Sequence, residues 1–115
     1  MEQGVAKRIR RYRKDQVEFT KHAKIRALQR GISENFVKQI IFDVKKLVHE
    51  EYQKGTNSYK LVYRLSRRYD LVIVLAFEER VIKVITVYKT SKRVQNVVER
   101  SKRYHVIYKF ERRKM

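Results

Sequence analysis

Two periods divide the chain. Up to about residue 45 the apolar positions recur at helical spacing, and beyond it they alternate with polar ones. The stretch Phe19–Ile32, FTKHAKIRALQRGI, predicts a short helix over about residues 20–30. Thr20 is its N-cap candidate, because a hydroxyl can accept a free N–H of the first turn. Gly31 suits the left-handed residue that follows a helix. Ala23, Ile25, Ala27 and Leu28 are expected to pack. Ser33 then caps a second helix over roughly 34–44, with Glu34 favourable in its first turn. Phe36, Val37, Ile40, Ile41 and Val44 give that helix a broad buried face. Gly31-Ile32-Ser33 makes a tight corner between the two.

After residue 45 the pattern becomes one of strands. Leu47–Gln53 reads as an edge strand, and Lys54-Gly55-Thr56-Asn57 is turn chemistry. Tyr59, Leu61, Tyr63 and Leu65 alternate with Lys60, Val62, Arg64 and Ser66, a half-buried strand. Arg67 and Arg68 turn the chain. Leu71–Phe77 is apolar on both faces and predicts a central strand. Glu78-Glu79-Arg80 is a tight turn before a fourth strand, Val81–Lys89. Connections this short imply an antiparallel meander. The expectation is an α+β fold: two N-terminal helices packed on one face of a four-stranded antiparallel sheet. In that register Lys60, Arg64, Thr86 and Tyr88 share the opposite face. Residues 1–16 read as a basic N-terminal arm, 17–90 as the folded domain and 91–115 as a basic C-terminal extension. The extension restarts a helical pattern with Val94, Val97 and Val98 on one side. Tyr104–Phe110 fits either a further strand or a continued helix.

Charge changes the picture more than composition does. Thirty Lys and Arg against 12 Asp and Glu give a formal net charge of +18 over 115 residues. Such a field attracts polyanions and favours nucleic acid as partner. The longest apolar run is far short of a membrane span, and no amphipathic segment has a broad Trp/Phe/Leu face, so no membrane partner is expected. The basic first residues have no apolar segment behind them and do not read as a secretory signal, so the default location is cytoplasmic. Cysteine is absent, which excludes disulfides. The sequence leaves oligomeric state open.

The first helix carries the candidate chemistry. His22, Arg26 and Arg30 recur every four residues, with Gln29 alongside, and fall on one stripe. Metal-free RNA cleavage needs a base for the 2′-OH, an acid for the 5′-oxygen and cations for the phosphorane. His22 can act as acid or base because imidazole titrates near neutrality. Arg26, Arg30 and Arg64 have the guanidinium fork that matches a phosphate. Tyr88 or Tyr63 can supply a proton or stack on a base. Tyr59, Tyr63 and Tyr69 otherwise suit a sheet core. Lys60, Thr86, Lys89 and Arg93 complete the candidate nucleic-acid surface. His22, His49 and His105 are scattered, with no ligand spacing, and no Gly-rich phosphate loop exists, so neither metal nor cofactor is expected. A second reading is a helix–turn–helix DNA binder, since Ala27, Gly31, Val37 and Ile40 fit that corner. Its reader helix, 34–44, would carry few cations, whereas reader helices normally contact phosphates and bases. A third is an architectural or viral nucleic-acid-binding protein without enzymatic activity.

The motif His22-Ala23, Arg26, Arg30-Gly31-Ile32-Ser33, followed by a helix, four strands and Val84-Ile85-Thr86-Val87-Tyr88, resembles a small prokaryotic family of uncharacterised domains. That family has a His-Ala-x-x-Arg-x-x-x-Arg-Gly-Ile signature and is grouped with RelE/ParE-like toxins in the barnase–colicin–RelE ribonuclease fold. The resemblance spans about residues 17–90. It implies a RelE-like α+β domain that binds RNA in preference to DNA, with metal-independent endoribonuclease activity in its sharper form. Position by position it points to His22, Arg26 and Tyr88 for catalysis, and to Arg30 and Thr86 beside them. It also implies an acidic antitoxin partner over the basic surface. The arm and the extension lie outside it.

Overall fold

The computed structural model describes residues 4–91. The chain runs α1 (Val5–Ile9), β1 (Val17–Phe19), α2 (Lys21–Gln29), α3 (Glu34–Ile41), β2 (Leu47–Gln53), β3 (Ser58–Arg64), β4 (Tyr69–Phe77) and β5 (Ile82–Ser91). The four expected strands form the antiparallel meander, with the β4 segment central and β2 at one edge. The α+β class holds, but the sheet is five-stranded and mixed, in the order β1-β5-β4-β3-β2, rather than four-stranded and antiparallel. The additional strand is the Val17-Glu18-Phe19 triplet, parallel to Ile82-Lys83-Val84. Its apolar–polar–apolar alternation buries Val17 and Phe19 and leaves Glu18 outside. Glu18 meets Lys83 across the pair at 3.5 Å, an exposed contact worth on the order of 0–1 kcal/mol.

The expected basic arm is instead part of the folded body. Val5 and Ile9 of α1 lie in the core with 2% and 0% exposure. The amide of Val5 donates to Glu50 Oε2 at 3.0 Å. Gly4 has φ 61° beside the Glu50 carboxylate, a left-handed backbone that calls for glycine. Further on, Tyr12 donates to the carbonyl of Glu78 at 2.6 Å and Gln16 to that of Arg80 at 3.1 Å. These bonds fasten the segment to the β4–β5 turn. Six cations between residues 7 and 14 gave it the look of a tail; two apolar residues four apart are enough to anchor it.

Both expected helices and caps are present. Thr20 Oγ1 accepts from the Ala23 amide at 3.0 Å, and Ser33 Oγ from that of Phe36 at 3.2 Å. Gly31, at φ 66°, ends α2; Ile32 donates to Ala27 and Gly31 to Leu28, the bond pair of a Schellman end. Val37, Ile40 and Ile41 of α3 are buried as expected, whereas Phe36 is 42% exposed and Val44 belongs to a short 3₁₀ turn. On α2 only Ala23 and Ala27 are buried. Leu28 is 83% exposed and Ile25 46%, because alanines bring the helix close to β5 and turn the longer apolar residues outward. The core joins these helices to Leu61, Tyr63, Leu71, Ile73, Leu75, Ile82, Val84 and Val87 on one face of the sheet. The C-terminal helical extension, with Val94, Val97, Val98 and the 104–110 tail, lies outside the described residues.

Candidate nucleic-acid interface

The stripe of α2 stands beside the open half of β5. The β1 strand pairs only with Ile82–Val84, and Thr20 adds one more bond, from its amide to the Val84 carbonyl at 3.0 Å. Beyond that point α2 replaces β1 along the edge. Arg30, at the C-terminal end of α2, donates from Nη1 to the Val87 carbonyl at 2.9 Å and approaches Thr86 Oγ1 at 3.5 Å. Its guanidinium carbon also lies 5.8 Å from the centre of the Tyr88 ring. Arg30 therefore does structural work: it satisfies an edge carbonyl that β1 does not reach. Both bonds leave from one terminal nitrogen of a five-donor fork.

One turn toward the N-terminus, Arg26 Nε donates to His22 Nε2 at 3.4 Å. In this geometry Nε2 is the acceptor, so its lone pair is turned toward Arg26. Both side chains are exposed, as is Arg30. Together with Lys21 and Lys24, α2 presents five side chains of basic type and no acid.

The expected site residues are brought together only in part. Arg30, Thr86 and Tyr88 meet, and His22 meets Arg26. His22 and Arg30 are eight residues apart, about 12 Å along a helix at 1.5 Å per residue. Of the expected trio His22, Arg26 and Tyr88, the first two meet each other, and Tyr88 meets Arg30 at the other end of the stripe. Lys60, Arg64, Thr86 and Tyr88 do lie on one face, the one turned away from the helices: Lys60 faces Val74 and Val74 faces Thr86, while Val62 and Val72 stand in line with Tyr88. Arg64 and Lys60 are on β3, two strands from β5 and so about 10 Å away at 4.7–4.9 Å per strand. Their rows are of mixed sign, since Glu51 stands opposite Lys60 and the buried Asp70 opposite Arg64. Asp70 Oδ1 has no hydrogen-bond partner among the described residues. Lys89 parts from this group: it pairs in register with Leu71 on the other face, its ammonium 5.9 Å from the Tyr69 ring. Arg93 lies outside the described residues.

Tyr63 is core, as its alternation suggested. It is fully buried and donates to the Ile41 carbonyl at 2.8 Å. Burial, with the Asp43 and Glu50 carboxylates nearby, pushes its hydroxyl well above the ordinary tyrosine range, so it stays protonated and is no proton source for a substrate. Among the described residues no three His, Asp or Glu side chains gather as a metal site, and no helix is long and apolar enough to cross a membrane.

Sequence reasoning missed one group. Tyr12, Tyr52, Tyr59 and Phe77 form a continuous run of rings with Arg8 laid on it. The signal was faint, because the residues come from the arm and three strands.

Compared with known proteins, residues 19–89 match a family described as a domain of unknown function (DUF4258). No curated protein and no solved structure matches the chain.

Proposed function

The chain belongs to the DUF4258 domain family, and from that premise we propose that it is an RNA-binding protein of RelE-like form, with α2 as its phosphate-binding surface. The observation that carries this reading is the α2 stripe itself. Arg26 and Arg30 stand on one exposed side of a helix without acids, while the cations of the far sheet face alternate with carboxylates. A net charge of +18 draws a polyanion toward the molecule. Arg30 is held in place by the Val87 carbonyl, so little side-chain freedom is lost when its remaining donors meet a phosphate.

The nucleolytic form of this function rests on His22. A phosphate bound at Arg26 draws that guanidinium away and frees the Nε2 lone pair. The imidazole then removes the proton of a 2′-OH, whose oxygen attacks phosphorus. The 5′-oxygen leaves, takes a proton from solvent and completes a 2′,3′-cyclic phosphate. An acidic antitoxin covering the stripe is the protein partner this reading expects. Leu28 and Ile25, exposed beside Lys21 and Lys24, offer it an apolar ridge.

Incubation of labelled RNA and duplex DNA with the protein in EDTA tests the proposal. Wild type and His22→Ala should both retain RNA, and His22→Ala should lose cleavage by about a hundredfold or more. Absence of RNA binding overturns the function. Equal loss of binding and cleavage in His22→Ala overturns the catalytic role. Preference for one duplex sequence would instead favour α3 as a DNA-reading helix.

A further inference from the structure

At the end of the sheet remote from Arg30, four aromatic rings cross the strands in sequence. Tyr52 of β2 lies 5.1 Å from Tyr59 of β3, Tyr59 lies 5.5 Å from Phe77 of β4, and Phe77 lies 5.7 Å from Tyr12. None of the four is fully buried, and Tyr52 is half exposed. The Arg8 guanidinium lies over the Phe77 ring, 4.5 Å from its centre, and reaches the Tyr59 hydroxyl at 3.5 Å. Beside Phe77 opens a cleft of about 320 Å³ bordered by Arg8, Arg11, Tyr12, Gln16 and Glu79. That volume is at the lower end of the ~300–1,000 Å³ that hold small organic ligands.

We infer that this ladder and cleft form a second subsite, which takes unpaired bases of a single-stranded RNA. The inference rests on the RNA-binding reading and deepens it. Its residues supply what a single strand needs. Aromatic faces and the planar guanidinium of Arg8 stack bases of any sequence. Arg11 offers a cation for the backbone. Glu78 and Glu79 border the space where the amino edge of a base would lie. A duplex keeps its base faces inside its own stack and has nothing to offer the rings, so the subsite distinguishes strandedness, whereas the α2 stripe does not. Arg8, Arg11 and Tyr12 precede the region matched by the family, so the subsite lies partly outside that match.

The test compares a short labelled single-stranded RNA with its duplex, by anisotropy at one salt concentration, for wild type, Tyr52→Ala, Tyr52→Phe, Arg11→Gln and Arg26→Gln. Tyr52→Ala should weaken single-strand binding about tenfold and leave duplex binding unchanged. Tyr52→Phe, which keeps the ring and loses only the hydroxyl bond to Asn57 at 2.8 Å, should bind as wild type does. Arg11→Gln should weaken the single strand by a smaller factor. If Tyr52→Ala leaves single-strand affinity intact, or weakens both forms equally, the subsite is overturned. When Arg26→Gln still weakens RNA in that event, the wider function stands and only the ladder falls. A wild type that binds no RNA overturns both.

Discussion

The two longer helices begin alike and diverge in what they bury. Thr20 starts α2 and Ser33 starts α3, each accepting from the amide three residues on. Each is eight or nine residues long. Yet α3 buries Val37, Ile40 and Ile41, while α2 buries only two alanines. An isolated helix of this length is marginal in water, so tertiary packing must hold it. In α3 that packing is a broad apolar face. In α2 it is close approach to β5 through Ala23 and Ala27, a Schellman end and the Arg30–Val87 bond. A helix held by small residues and end contacts keeps most of its circumference for other uses, and here that circumference is basic.

The sharpest way to break the comparison is Ile41→Ala in α3. It should cost about 2–5 kcal/mol, read as a drop in urea midpoint without a change in slope, because Ile41 is fully buried. A loss no larger than that of a surface change would mean α3 is not the anchor. Next in size is Tyr63→Phe, which removes the hydroxyl bond to the Ile41 carbonyl and should cost about 1 kcal/mol. This variant also has a pH signature. The folded hydroxyl ionises well above its ordinary value of 10.0. Its contribution is therefore whole below about pH 10 and declines as pH rises past that value, where the unfolded chain loses its tyrosine proton. Tyr63→Phe should fall less steeply than wild type over that range. The smallest effect belongs to α2. Leu28→Gln on its outer side should shift stability by no more than about 0.5 kcal/mol, and a larger loss would show that Leu28 packs after all.

Much of the fold was legible in the sequence because its signals are periodic. Strand alternation in 58–64, the doubly apolar run at 71–77 and the two caps needed no tertiary information. The β1 strand was not legible, since three residues carry too little alternation to compete with the helix signal that follows Thr20. Nor was the inner side of α2: Leu28 has more apolar surface than Ala27, but only close packing on β5 decides which of them turns inward. The stripe of His22, Arg26 and Arg30 was visible from spacing alone. That Arg30 would be fastened to a carbonyl, and that Tyr88 would stand beside Arg30, depended on where β1 stops.

One register shift in β5 has a consequence for chains with a residue gained or lost. Val84 faces Leu75 and Thr86 faces Val74, so Ile85 is the residue without an opposite number. Up to Val84 the even positions look toward the helices; past Ile85 the odd ones do. What keeps Thr86 and Tyr88 on the outer face despite the extra residue is thus the bulge at Ile85, not a side chain. A substitution at Ile85 leaves the extra residue in place. Its deletion would take out the one residue without a partner and let Thr86 follow Val84 in plain alternation, so that Val87 would stay beneath the helices and Thr86 and Tyr88 outside, with every pair to β4 kept.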